Sequence, residues 1–189
     1  MDRMRTTGWL LGLLLSGWVL VGTSPLSAAA QAPRKDFQIA LDVLSTVTDY
    51  YDYGIFDDVT VGVREGVATL TGKVTLSSKR TEIEKRVQKV RGVTAVRNQI
   101  EVLPASKFDE DLRVRIGNTI YGNSNFWQYS TLRNPPIHII VEGNRVTLAG
   151  IVHSDLDRKL AQSLAMQAGA GLLTNNLKTD AEARAALEK

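Results

Sequence analysis

The stretch "VATLTGKVTLSSKR" (residues 67–80) nearly recurs as "RVTLAGIVHSDLDRK" (residues 145–159). Gly72 and Gly150 are 78 positions apart, and the same offset aligns Leu70 with Leu148, Val74 with Val152 and Arg80 with Arg158 without a gap. A period of this length exceeds the roughly 20–50 residues of solenoid units, so it points to duplicated small domains and not to a stacked array. Domains of this size bury only about 60% of the surface their unfolded chain exposes. The two copies are therefore expected to lean on each other.

Both copies show one order of elements. Ile39, Val43 and Val47, and in the second copy Leu112, Ile116 and Ile120, recur every four residues and mark one apolar stripe of a helix. Period-two alternation follows, with Val59, Val61 and Val63 on one face and Ile137, Ile139 and Val141 in the equivalent place. Glu65-Gly66 and Gly143-Asn144 then read as hairpin turns. The returning strand carries Ala68, Leu70, Gly72 and Val74, matched by Val146, Leu148, Gly150 and Val152. Ser77 and Asp155 are expected to cap the next helix, which buries Ile83, Val87 and Val90, or Leu160, Leu164 and Ala168, and which Gly92 is expected to stop in the first copy. A last strand places Val96, Asn98, Ile100 and Val102 on one face, and Leu173, Asn175 and Leu177 after a single-residue deletion. The fold class is therefore α+β: two tandem αββαβ domains, each a three-stranded mixed sheet with two helices on one face. The hairpin's second strand, the helix and the last strand form a crossover that makes those strands parallel. The opposite face carries Thr60, Arg64, Thr69, Lys73, Arg97 and Glu101, and is expected to be wet or to meet something polar.

Residues 1–30 read as an export signal. Arg3 and Arg5 precede an uncharged apolar run from Gly8 to Gly22, and Ala28-Ala29-Ala30 offers small residues for cleavage after Ala30. An uncleaved anchor is the alternative, but the run is shorter than the roughly 20 residues that span a bilayer. The expected location is the periplasm or outside the cell. The sequence has no cysteine, which removes both a disulfide framework and a lipid-modified cysteine. The formal net charge of +3 falls to +2 without Asp2, Arg3 and Arg5, too little to name a partner. Its distribution says more: Asp49, Asp52, Asp57 and Asp58 lie in one stretch and Lys79, Arg80, Lys85, Arg86, Lys89 and Arg91 in another.

A hairpin ending "VxLxGxV", a helix with an early arginine, then "GV" and "VxNxIxV", resembles the BON domain, found in tandem in osmotically inducible periplasmic proteins. Here the pattern stands as "VATLTGKV", Arg80 and "GVTAVRNQIEV", then as "RVTLAGIV", Arg158 and "GLLTNNLK", with Gly171-Leu172 in place of the "GV". The resemblance covers about residues 36–104 and 108–179, leaving 180–189 as a helical or frayed tail. It implies a non-enzymatic module that binds phospholipid or attaches proteins to membranes in the cell envelope, with no cofactor.

Candidate positions follow from chemistry. Gly72 and Gly150 interrupt strands, which a glycine weakens unless another group approaches closely or the strand bulges; a helix backbone packed on the bare patch is the expected reason. Lys85, Arg86 and Lys89 lie on a basic helix whose charges the apolar stripe forces outward, toward an anionic membrane or simply toward solvent with Glu82 and Arg86 paired. The insertion "YGNSNFWQYSTLRNPP" (residues 121–136) brings Phe126, Trp127 and Tyr129 together with Arg133, a set suited to a lipid headgroup boundary; the same rings could instead fold back onto the sheet edge or the neighbouring copy. Tyr50, Tyr51, Tyr53 and Phe56 fill the equivalent gap among acids that an anionic membrane would repel. His138 alternates with Ile137 and Ile139 and is therefore expected on the open sheet face, and His153 on the surface; neither has the three or four ligands a metal site needs. Asn98 and Asn175 are expected to satisfy backbone groups.

No recurring Ser-His-Asp set, phosphate loop or framed acid pair supports an enzyme, and no RNA-binding or zinc-finger motif supports nucleic acid binding. The reading is an envelope module that docks on anionic phospholipid. The alternative is a structural or protein-interaction module of the periplasm that contacts other envelope proteins through its open sheet faces.

Overall fold

The computed structural model describes residues 35–187; residues 1–30, expected to be an export signal, lie outside them. Each copy begins with a helix, α1 (Asp36–Thr48) or α3 (Lys107–Tyr121). In the first copy β1 (Asp58–Arg64) and β2 (Val67–Val74) form the hairpin, α2 (Ser77–Val87) crosses over, and β3 (Ala95–Val102) closes the sheet. Order is β1-β2-β3, with β1 antiparallel and β3 parallel to the central strand. The second copy repeats this with β4 (Ile137–Glu142), β5 (Arg145–Val152), α5 (Asp155–Gln167) and β6 (Leu172–Asn175), followed in the same register by the two-residue β7 (Lys178–Thr179).

The hairpin turns close with both central residues at positive φ: 52° and 75° at Glu65 and Gly66, 56° and 63° at Gly143 and Asn144. This is the twist-matched geometry of two-residue hairpins. An aspartate on each first helix latches its turn. Asp36 accepts from Glu65 N–H at 2.7 Å and Gly66 N–H at 3.0 Å, and Asp109 accepts from Gly143 N–H at 2.8 Å and Asn144 N–H at 2.9 Å. The latch recurs although the helices are offset by 73 positions and the hairpins by 78, so the insertion is a net five residues long.

Asn98 and Asn175 staple the crossover helix to the last strand. Asn98 donates to the Arg80 carbonyl at 3.1 Å and to Glu84 Oε2 at 2.9 Å while accepting from Ile100 N–H at 3.1 Å. Asn175 does the same with the Arg158 carbonyl, Gln162 and Leu177 N–H. Asn98→Ala is expected to lower stability by about 1–3 kcal/mol, because it removes two hydrogen bonds to α2 and leaves the Ile100 amide without its acceptor. A lowered urea midpoint checks this, and a change below about 0.5 kcal/mol, the range of ordinary surface substitutions, counts against the staple.

Several expectations are corrected. Ser77 does not cap α2: the cap position is Leu76, which offers no side-chain acceptor, and in the second copy Ser154, not Asp155, accepts from Asp157 N–H at 3.1 Å. Helix α2 ends at Val87, so Gly92 does not stop it; Gly92 instead turns the chain into β3 at φ 96°. Its counterpart is Gly169 at φ 107°, three residues before β6 as Gly92 is before β3, so Gly169-Ala170 and not Gly171-Leu172 holds the place of the first copy's Gly92-Val93. The closest approach to Gly72 and Gly150 is not a helix backbone. Both sit at φ 115°, and a Cβ there would meet the carbonyl oxygen of Asp58 at 2.1 Å or of Pro136 at 1.8 Å on the facing antiparallel segment. The tail is a defined helix, α6 (Asp180–Leu187), opened by a capping box in which Glu182 N–H donates to Thr179 Oγ1 and Thr179 N–H to Glu182 Oε2.

The copies also touch. Ile139 N–H donates to the Ile55 carbonyl at 2.7 Å, and Arg133 donates to the Asp49 carbonyl at 3.0 Å. Ile55 and Phe56 pack on the core of the second copy. Five consecutive residues of β4, Ile137 to Val141, are buried, so both faces of this strand are covered. That places His138 inside, its ring 5.6 Å from Tyr53, and not on an open face.

Candidate functional site

The clearest departure from the sequence reading lies at the start of α2. Lys79 is buried, its ammonium 2.8 Å from Asp57 Oδ2, and Asp57 is fully buried. The same carboxylate accepts from Thr75 N–H at 2.8 Å, Thr75 Oγ1 at 3.0 Å and Gly54 N–H at 3.0 Å. A buried carboxylate with four donors is satisfied, and its counter-charge keeps the site neutral. Lys79 therefore leaves the outward basic row.

In the second copy Pro135 stands 78 positions after Asp57 and Asp157 stands 78 after Lys79, so the pair is gone. The insertion replaces it. A 3-10 turn (Ser124–Phe126) and α4 (Trp127–Ser130) drive Phe126 and Tyr129 into the core, their rings stacked 5.7 Å apart. Tyr129 Oη accepts from His153 N–H at 3.0 Å, the amide equivalent to that of Thr75. Burial pushes the Tyr129 hydroxyl above the usual phenol range, so it stays neutral there. Of the four insertion residues singled out, Phe126 and Tyr129 are thus core groups that no headgroup reaches. Trp127 is 69% exposed, with Leu132 and Ile151 also exposed, while Arg133 is exposed and tied to the end of α1. Leu132 and Ile151 flank one shallow hollow with Tyr129 and Pro136.

On the first copy, α1 and α2 lie side by side over the sheet. Lys85 and Lys89 are exposed on α2. Arg86 is half-buried, 3.0 Å from Glu82 and over the Tyr50 ring at 4.9 Å, so part of its charge is already matched. A groove of about 610 Å³ between the helices is lined by Asp42, Ser45, Glu82, Arg86 and Lys89 among others. The other side of α1 carries a feature the sequence reading missed: Phe37, Leu41 and Leu44 are 60%, 51% and 43% exposed. Their spacing of four and three residues was the available signal, a second apolar stripe beside the buried one of Ile39, Val43 and Val47.

The sheet face of the first copy meets a polar partner at one end. Lys73 bridges Glu101 at 3.2 Å and Glu142 of the second copy, and the Glu142 carboxylate holds its ammonium above the ordinary lysine range. His153 lies on the surface, 2.9 Å from Asp180. Among the described residues no group of three His, Asp or Glu side chains is placed to hold a metal, and no helix is long and apolar enough to cross a membrane.

A family model described as the BON domain matches residues 35–104 and 124–181. No curated protein matches. Among solved structures, the chain is similar to CdsD, a structural protein of the type III secretion system of Chlamydia trachomatis, at 17% identity and a TM-score of 0.33, covering 78% of this chain and 64% of that one. The C-terminal domain of CdsD gives 17% identity and a TM-score of 0.32, covering 78% of this chain and 69% of that one. The chain thus spans somewhat less than two thirds of the first of these. With the family model laid twice across most of its length, and with staple and strand glycine repeated in both segments, the chain belongs to the BON domain family as a tandem member.

Proposed function

We propose that the chain is a non-enzymatic binding module of the cell envelope that attaches to anionic phospholipid surfaces, chiefly through the helix layer of its first copy. The observation that carries this reading is the exposed ridge of Phe37, Leu41 and Leu44 on α1, in the same layer as the exposed Lys85 and Lys89 of α2. A helix with apolar groups ready to enter the acyl boundary and cations beside it suits the interface of a charged bilayer. Trp127, with Leu132, offers a second apolar contact of the kind that anchors at headgroup level. BON domain proteins are typically periplasmic, which supports an envelope location. Two sites on one chain gain from effective concentration without any new contact.

Co-sedimentation with vesicles tests this. Binding is expected with anionic vesicles, not with neutral ones, and is expected to weaken as salt rises. At roughly 1 kcal/mol per cation near the surface, removing two lysines alone lowers affinity about thirtyfold, so Lys85→Glu with Lys89→Glu should lower it at least that much. Leu41→Asp should also weaken binding, while Lys107→Glu, on a helix of the other copy, should not. Equal binding to neutral vesicles, or indifference to both sets of changes, rejects the reading. Recovery of a protein partner from envelope extract without vesicle binding favours the structural-module alternative.

A further inference from the structure

β3 is the outermost strand of the first sheet, and among the described residues no strand pairs with its outer edge. Leu103 N–H donates to the Val74 carbonyl at 2.9 Å, so the odd-numbered residues of this strand turn their backbone groups toward β2. Backbone direction alternates along a strand, which turns the groups of Val96, Asn98, Ile100 and Val102 outward. An edge of eight residues without proline or lysine lacks two of the usual devices that discourage pairing. The Asn98 side chain over Ile100 N–H is the one partial cover.

We propose that this edge pairs with the same edge of a second copy of the chain, antiparallel, about a two-fold axis through Gln99. Arg97 and Glu101 stand on the outer face two positions either side of Gln99, and all three are exposed. In this register Arg97 lies opposite Glu101 of the second copy, twice. Opposite charges in such cross-strand pairs stabilise and like charges destabilise. Moving the axis to Arg97 or to Glu101 sets like charges face to face, and moving it to Asn98 or Ile100 pairs each charge with an uncharged residue. On the other face, Val96 meets Val102 of the second copy and covers a valine that is 37% exposed. The outward backbone groups face one another in this register, with Ile100 N–H exchanging Asn98 Oδ1 for the Asn98 carbonyl of the second copy, so two three-stranded sheets join into one of six strands. The contact is self-complementary and closes on itself. It goes beyond the membrane reading and does not rest on it.

The chain has no cysteine, so a single introduced thiol reports a single neighbour. At the axis the two Cα atoms of residue 99 lie about 4.5 Å apart, the spacing of a non-hydrogen-bonded pair, which a disulfide can span. In the full chain, Gln99→Cys is expected to form disulfide dimers under mild oxidation. Ala95→Cys, also exposed, is expected to stay largely monomeric, because its two copies lie about 27 Å apart in this register. Arg97→Glu added to Gln99→Cys is expected to slow cross-linking about tenfold, and further addition of Glu101→Arg to restore it. Equal cross-linking at positions 95 and 99, no dimer at 99, bonding only to other proteins, or indifference to Arg97→Glu overturns the pairing. An unchanged thermal melt of Gln99→Cys shows that a missing dimer is not a folding failure.

Discussion

Asp57→Ala is expected to lower the stability of the chain by about 3–5 kcal/mol, the cost of leaving a buried charge without its partner. The buried Lys79 ammonium would lose its 2.8 Å contact, and the amides of Gly54 and Thr75 would lose their acceptor. What remains for Lys79 is Asp52, half-buried and 4.0 Å away. One side chain here joins the loop before β1, the end of β2 and the first turn of α2, so its removal loosens three elements together. Lys79→Met should cost less, because Thr75 and Gly54 still hold the carboxylate. Lys85→Met, on the exposed side of the same helix, should stay within about 0.5 kcal/mol. Urea denaturation of the three variants decides it, and an Asp57→Ala chain as stable as Lys85→Met sinks the assignment.

Gly150→Ala is expected to cost roughly 2–6 kcal/mol, combining a strained φ at about 1–3 with an overlap at about 1–3. The strand turns through φ 115° where the Pro136 carbonyl crosses it, and a Cβ would stand 1.8 Å from that oxygen. A backbone carbonyl cannot rotate aside as a side-chain tip can, and this one accepts from Ile151 N–H at 3.3 Å. The two strands would have to part at their open end. Gly72→Ala meets the Asp58 oxygen at 2.1 Å and should behave alike. Gly62→Ala, with nothing within 4 Å of its Cβ and no positive φ, should be neutral or slightly stabilising. The comparison isolates backbone conformation from residue type: a melting temperature unchanged in Gly150→Ala argues that the close approach is not required.

The two copies reach one fold through different interiors. Where the first uses an aspartate–lysine pair to satisfy the amide of Thr75, the second uses a tyrosine hydroxyl on a stacked aromatic plug to satisfy His153. The insertion that looked most like a ligand site is therefore partly the second copy's own core, and only Trp127 and its exposed neighbours are left for contact. The exposed apolar ridge falls on the first copy, on α1. Duplication has freed each copy to keep the frame while dividing packing and surface roles.

Strand and helix order, the offset of 78, the turn pairs and the buried rows of Ile39, Leu70, Ile116 and Leu148 were all written in the sequence by itself. They are local: periodicity reports which side of an element faces inward, and that holds whatever the element packs against. Which polar groups go inside was settled by contacts between remote segments. Lys79 and His138 sit at positions that period alone assigns to solvent or to an open face, and they are buried because a distant segment closes over them, Asp57 in one case and the Tyr53 loop in the other. The same is true of Gly72 and Gly150, whose need for glycine arises from a carbonyl more than a dozen residues away in the chain. A contact between remote segments leaves no period behind it, so the chain alone could mark these positions as unusual but could not name the partner that makes them so.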